Sequence, residues 1–227
     1  MRLPTALSRR ALLAATAACL STVPTSPTTA ASAEPEMKSA LTGALEKTLP
    51  SAAGAGSDPL DAIAWNGPKK LGLTLSEMTK AVDVGLRERE WFVTGKGMPE
   101  LFSDSFKFSD PDVSVDGIEP YCRQVRRLFD QNTARAEVIC TSATAPNTIT
   151  ITWRNSGKVN LGPGFELKPY VVTTTLKTDP GDGLIVSQVD EFTVSGPDLI
   201  LYQVPFLRGF TSPPAPSAEI LRRECNA

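Results

Sequence analysis

The side chains that could carry out acid–base chemistry in this chain are limited by the absence of histidine from its 227 residues. Ser-His-Asp and Cys-His catalysis by the chain's own residues is therefore excluded, as are metal sites built on imidazole. Proton transfer must depend on Asp, Glu, Tyr, Lys or Cys. Because the cysteines form no CxxC pair and the glycine-rich segments lack phosphate-loop spacing, we predict neither a metal site nor a cofactor.

Three residues are the main candidates for a catalytic or binding pocket. Asp110 ends a short strand-like segment, and the family resemblance given below implies that it is the candidate general base, at a place where burial would raise its pKa into a useful range. Trp153 and Tyr170 are candidates for ligand binding, since each brings a polar tip to an apolar wall. Each residue also has a simpler interpretation: Asp110 can cap a turn, and the two aromatic residues can belong to the sheet core.

Charged residues supply further candidates for ligand binding. Asp190 and Glu191 are adjacent on the last predicted strand, so they point to opposite faces of the sheet and one of them faces inward. We predict Glu191 as the binding residue. Arg89 and Arg154 are candidates for holding an anionic ligand, with Arg89 preferred. The alternative for all four side chains is exposure to solvent.

The cysteines of the predicted domain are Cys122 and Cys140, and a further one, Cys225, lies near the end of the chain. In an exported protein the first two could form a disulfide. Alternatively, each is packed in the core as a small apolar residue.

These candidates must be positioned by an α+β domain, predicted over residues 74–196. The first helix is predicted over 74–92 and the second over 117–130. The first carries an apolar stripe formed by Leu75, Met78, Val82 and Leu86. Strand-like alternation occurs in a segment ending at Asp110 and in four later ones: 136–142, 148–154, 169–177 and 184–194. Successive strands of this kind predict helices packed on an antiparallel sheet built from residues 105–195.

The first 33 residues have the parts of an export signal. They contain three arginines and no acidic residue, an apolar run over 11–20 and a small-residue end at Ala31-Ser32-Ala33. The adjacent Arg9 and Arg10 favour the twin-arginine route. Cleavage after Ala33 would leave a net charge of −5, which argues against partners that are nucleic acids or anionic membranes.

Two segments flank the predicted domain. The lead-in over 34–73 is predicted to contain a marginal helix over 34–49 that packs loosely or stays mobile. A flexible linker over 51–57 and an extended stretch with Trp65 as an anchor follow it. The region 197–227 is rich in proline, and we predict a poorly ordered tail there.

Residues 75–195 resemble a plant and algal chloroplast branch of the nuclear-transport-factor-2-like (SnoaL-like) superfamily. The resemblance rests on WFVTGKGMPELFSDSFKFSDP and GIEPYCRQVRRLF in the first half, and on ELKPYVVTTTLKTDPGDGLIVSQVDEFTV in the second. It implies a cone-shaped fold, in which helices pack on a strongly curved sheet around a pocket, and it places Asp110 at the pocket rim. With the leader, it also implies delivery to the thylakoid lumen, and a bacterial periplasm is the alternative.

Two functions follow from these expectations. The first is a non-catalytic domain that binds a small apolar ligand or a partner protein, including a homodimer formed through the sheet, without membrane insertion. The second is a histidine-independent lyase or isomerase with Asp110 as general base and Tyr170 or Trp153 orienting the substrate. Because this fold hosts both classes, the surroundings of Asp110 are the discriminating observation: turn amides favour the binder, and an open cavity favours the enzyme.

Overall fold

The computed structural model describes residues 36–37, 58–161, 164–194, 198 and 201–225. The predicted export signal, the linker over 51–57 and most of the helix predicted over 34–49 lie outside these residues. The two described residues of that helix, Glu36–Met37, instead form strand β1, which pairs with residues 113–114. The helix prediction is therefore wrong at these two positions.

The described strands form one mixed sheet. After β1 come β2 (Phe102–Ser109), β3 (Val113–Asp116), β4 (Arg135–Ala145), β5 (Thr148–Val159), β6 (Phe165–Thr178) and β7 (Ile185–Phe192). Their order across the sheet is β1-β3-β2-β7-β6-β5-β4. Neighbouring strands are antiparallel except for β2 and β7, which are parallel. The predicted α+β class with helices on the sheet is confirmed, and the expectation of a purely antiparallel sheet is wrong at this one pair.

Helix α1 (Leu75–Arg89) begins with a capping box, in which Thr74 and Glu77 each bind the other's backbone amide. Of the predicted stripe, Met78, Val82 and Leu86 are completely buried. The helix predicted over 74–92 is interrupted at Glu90, whose left-handed backbone separates α1 from the short α2 (Trp91–Thr94). The cause is a tertiary contact, because the Glu90 carboxylate accepts the backbone N–H of Ala136 on β4 at 2.9 Å.

Helix α3 (Ile118–Leu128) packs beneath the loop that follows α2 and presents Tyr121 to the sheet. A Cβ atom at Gly95 would lie 2.3 Å from the carbonyl oxygen of Cys122, and one at Gly97 would lie 2.7 Å from its sulfur. Cys122 is thus sealed under this loop, whereas Cys140 lies on β4 next to the end of the chain. Of the two alternatives for Cys122 and Cys140, the structure has no disulfide between them, and both are free thiols.

Aromatic side chains fill the space between the helices and the inner face of the sheet. Phe106 contacts Phe102 edge-on with ring centroids 4.9 Å apart, and Phe108 lies 4.6 Å from the Tyr121 ring. Phe92 from α2 packs against Trp153 from β5 at 5.1 Å. These contacts make the wall that surrounds the polar residues described below.

The segments on either side of the domain pack against it. The Trp65 indole is buried and donates a hydrogen bond to the Leu60 carbonyl at 3.1 Å, as an anchor should. The described tail residues contain helix α4 (Ala218–Cys225), which packs against β4. The buried Lys168 amine bonds Asp198 at 2.9 Å and Ser212 at 2.5 Å, fixing the preceding segment. The prediction of a poorly ordered tail is therefore wrong for residues 201–225.

No helix in the described part of the chain is both long enough and apolar enough to span a bilayer.

Candidate functional site

A buried polar cluster lies on the inner face of the sheet. Thr174 on β6 is directly opposite Asp190 on β7, and its hydroxyl donates to the Asp190 carboxylate at 2.7 Å. The Gln188 side-chain amide donates to the same carboxylate at 3.1 Å and to the Tyr121 hydroxyl from α3 at 3.0 Å. Gln188 and Thr174 are completely buried, and Asp190 is 6% exposed. The cluster therefore ties two strands to helix α3 inside the core.

The Trp153 indole extends this cluster toward β5. Its N–H can only donate, and it does so to the Thr174 hydroxyl at 2.9 Å. The Thr174 hydroxyl hydrogen is then available for Asp190, so the three side chains form a chain of donors that ends at the carboxylate. This direction keeps the Asp190 oxygens as acceptors.

The environment of Asp190 favours its protonated form. Burial raises the pKa of this carboxyl from 3.8 to about 7, although the hydrogen bonds from Thr174 and Gln188 oppose the rise. The nearby charge of Asp110 adds a smaller increase. Burial also raises the pKa of the Tyr121 hydroxyl, with the charge of Asp190 as a further cause. A carboxyl group with a pKa of about 7 can exchange a proton near neutral pH.

A second buried polar pair lies further along the same inner face. Asn155 on β5 is opposite Tyr170 on β6 and donates its side-chain N–H to the Tyr170 hydroxyl at 2.9 Å. The Tyr170 ring contacts Phe192 of β7, with centroids 5.9 Å apart. Burial raises the pKa of the Tyr170 hydroxyl, and the charge of Asp190 contributes to the rise. The Asn155–Tyr170 pair and the cluster around Asp190 are therefore close enough to interact electrostatically.

Two acceptor atoms in this interior are left without donors. The side-chain carbonyl oxygens of Asn155 and Gln188 are buried, and neither has a hydrogen-bond partner among the described residues. Burying an unsatisfied acceptor costs about 1–3 kcal/mol. A molecule with a hydroxyl or amine group would satisfy these oxygens, whereas a pure hydrocarbon would not.

The placement of Asp110 matches the turn interpretation. Its carboxylate accepts the backbone N–H groups of Asp112 and Val113 at 2.7 and 2.6 Å, and its side chain is only half-buried. It thus closes the turn between β2 and β3. Its negative charge also contributes to the raised pKa of Asp190. Of the two adjacent acidic candidates on β7, Asp190 is the one that lies in the core.

The other predicted residues divide between the interior and the surface. Trp153 and Tyr170 lie in the interior cluster, as their strand positions indicated. Glu191 is exposed on the outer face of β7, because its neighbour Asp190 occupies the inner face. Arg154 pairs with Glu137 on the outer face at 2.5 Å. The structure does not bring Glu191 or Arg154 together with the aromatic pair.

Arg89 lies at a separate groove on the outer side of α1. The groove has a volume of about 380 Å3 and is lined by residues of α1 and by Met98. A second groove of about 610 Å3 runs between α1 and β4 and includes Thr79 and Thr141. Neither groove is lined by a residue of the interior cluster. Arg89 therefore cannot contact a ligand held by Trp153 and Tyr170.

The described residues contain no group of three or more Cys, Asp or Glu side chains arranged to hold a metal ion.

Comparison with known proteins gives likeness in fold only. No family model matches the chain, and no curated protein matches it. It is similar to a solved protein with a ketosteroid isomerase-like fold from Catenulispora acidiphila, in complex with trimethylamine, at 18% identity and a TM-score of 0.40, over 57% of this chain and 93% of that one. It is also similar to a nuclear-transport-factor-2-like protein from Mesorhizobium loti, at 17% identity and a TM-score of 0.39, over 54% of this chain and 96% of that one. A third similar structure is a nuclear-transport-factor-2-like protein from Anabaena variabilis, at 16% identity and a TM-score of 0.38, over 55% of this chain and 96% of that one.

The chemistry assigned to the interior depends on this chain's own side chains.

Proposed function

We propose that the chain is a non-catalytic domain that binds one small, mostly apolar molecule in the interior of the cone. The observation that carries the proposal is the pair of buried carbonyl oxygens, on Asn155 and Gln188, that have no donor among the described residues. Native interiors seldom leave such groups unpaired, and an ordered water or a bound molecule can supply the missing donor. The site of Asp110, bonded to turn amides, also favours binding over catalysis at that residue.

The chemistry of the interior restricts the ligand. Two pairs of rings, Phe92 with Trp153 and Tyr170 with Phe192, lie next to these polar groups, so a ligand bound there should be mostly apolar. The unpaired atoms of Asn155 and Gln188 are acceptors, and the Asp190 carboxylate is a third acceptor nearby. The ligand should therefore contribute hydrogen-bond donors, as an alcohol, a phenol or an amine does.

Calorimetric titration with p-cresol and toluene tests this proposal, since the two probes share a ring and only p-cresol has a hydroxyl donor. We expect p-cresol to bind about 5- to 30-fold more tightly, because one satisfied buried acceptor contributes about 1–2 kcal/mol. Asn155→Leu and Gln188→Met should each reduce that preference.

The control for this titration is Glu191→Gln, which alters the adjacent carboxylate on the outer face and should leave the preference unchanged. Equal affinities for the two probes, or binding of neither, would contradict an interior site that selects donors.

The alternative function is a histidine-independent isomerase or lyase that uses Asp190, rather than Asp110, as general base. The specific observation in its favour is that burial places the Asp190 pKa at about 7, within the range for proton abstraction at neutral pH. Such an enzyme would exchange the α-protons of a bound cyclic ketone for deuterium in D2O, and Asp190→Asn would abolish that exchange. A binder shows no exchange with either form.

The domain could instead bind a partner protein or a second copy of the chain. Its surface would be the outer face of the sheet, where Thr150, Thr152, Thr173 and Thr175 surround the exposed Val189. Sedimentation equilibrium of the ligand-free chain separates a dimer formed there from a monomer.

For location, we propose that the chain belongs to the plant and algal chloroplast branch and is exported to the thylakoid lumen, with a bacterial periplasm as the alternative. The support is the leader over 1–33 with Arg9 and Arg10. Replacing both arginines by lysine should block import of the precursor into isolated thylakoids. Undiminished transport of that variant, or a mature protein that still begins at Met1, would contradict the export proposal.

A further inference from the structure

Two of the three described cysteines meet at the edge of the sheet. Cys140 follows a bulge in β4, which is an edge strand, and Cys225 is the last residue of helix α4. The Cys140 side chain raises the pKa of the Cys225 thiol as a hydrogen-bond partner, so the two side chains are neighbours. Helix α4 packs against β4. Cys225 is exposed and Cys140 is half-buried, so small oxidants can reach both sulfur atoms.

Contacts other than the thiols hold α4 in this position. Arg222, one turn before Cys225, donates to the Val138 carbonyl at 2.8 Å, and Ala218 at the start of the helix is buried. The bulge in β4 falls between Val138 and Cys140, two residues apart on the same strand. Upstream, the backbone N–H of Ala215 bonds the Pro169 carbonyl at 2.8 Å. The packing of the C-terminal segment therefore holds the two cysteines close together.

We propose that Cys140 and Cys225 form a disulfide that fastens helix α4 to the edge strand. The reaction is thiol–disulfide exchange with a small disulfide such as oxidised glutathione: the two thiols lose two protons and two electrons, one S–S bond forms, and the oxidant is reduced to two thiols. The bond closes a long loop and keeps the edge strand covered, which protects it from pairing with another chain.

The third described cysteine is unsuited to this chemistry. Cys122 is completely buried beneath Gly97, and burial raises the pKa of its thiol to about 12. A small oxidant cannot reach a completely buried sulfur, so Cys122 should stay reduced while the exposed Cys225 reacts.

Peptide mapping of the full chain, equilibrated with oxidised and reduced glutathione and alkylated before tryptic digestion, tests the proposal. We expect a disulfide-linked pair of the peptides 136–154 and 224–227, with Cys122 recovered as the alkylated thiol. The link should disappear on reduction. Glutathione attached to Cys225 alone, a link that includes Cys122, or no link at all would each overturn the proposal.

Thermal unfolding supplies a second readout that separates a stabilising disulfide from an incidental one. We expect oxidised wild-type protein to melt on the order of 5–10 °C above the reduced protein. Cys225→Ser, a substitution at an exposed position, should melt like reduced wild type under both conditions. Equal melting temperatures for oxidised and reduced wild type would refute a fastening role for the disulfide.

Discussion

Replacing Phe106 with alanine is expected to lower the free energy of unfolding by about 3–5 kcal/mol. The ring is 1% exposed, lies edge-on to Phe102 and also contacts Tyr121 of helix α3. Removing it leaves a cavity where β2, the helix and the aromatic wall meet, and the close-packed surroundings can collapse only in part. Urea denaturation monitored by circular dichroism measures the loss.

The matched control is the next residue on the same strand. Lys107 points to solvent with 72% of its side chain exposed, and its ion pair with Asp116 spans 3.8 Å. Lys107→Ala should therefore change stability by no more than about 1 kcal/mol. Similar losses for the two variants would mean that β2 does not present alternate faces to core and solvent.

The second large effect is a loss of stability as the pH rises, which Asp190→Asn should remove. The Asp190 pKa is about 7 in the fold and 3.8 ordinarily, so ionisation is on the order of 4 kcal/mol less favourable in the folded protein. Because the folded-state pKa is the higher one, the contribution of the protonated group is complete below about pH 4. It is lost progressively as the pH rises to about 7.

Denaturation of wild type and Asp190→Asn across pH 4–8 tests this linkage. At pH 4 the two proteins should have similar stability, and at pH 8 the variant should be more stable by a few kcal/mol. Glu191→Gln is the control, since this exposed neighbour should not alter the pH dependence. Parallel curves for wild type and Asp190→Asn would show that the carboxylate is not buried.

The helices could be predicted from the sequence because their apolar spacing is regular. Met78, Val82 and Leu86 recur at helical intervals and are all buried. The break at Glu90 could not be predicted, since it depends on a contact with β4, 46 residues away. The packed structure of the C-terminal segment could not be predicted either. It depends on single tertiary bonds such as that between Lys168 and Asp198 and not on local pattern.

The interior site could be predicted only in part. Trp153 and Tyr170 follow the alternation of their strands, and both face inward. Strand β7 inverts the usual pattern: polar Gln188 and Asp190 point into the core, while apolar Val189 is 43% exposed. Because of that inversion, Asp190 is buried and the predicted Glu191 is exposed. Local rules tend to fail at functional positions, so the failure on β7 agrees with a site there.

Native mass spectrometry of the protein purified from its own compartment tests the central claim most directly. If the interior binds a ligand, the spectrum should show one small organic molecule per chain, and the released molecule should carry a hydroxyl or amine group on an apolar skeleton. Asn155→Leu should retain less of that molecule than Glu191→Gln does. A chain that is consistently free of ligand, or a bound molecule without a hydrogen-bond donor, would contradict the account.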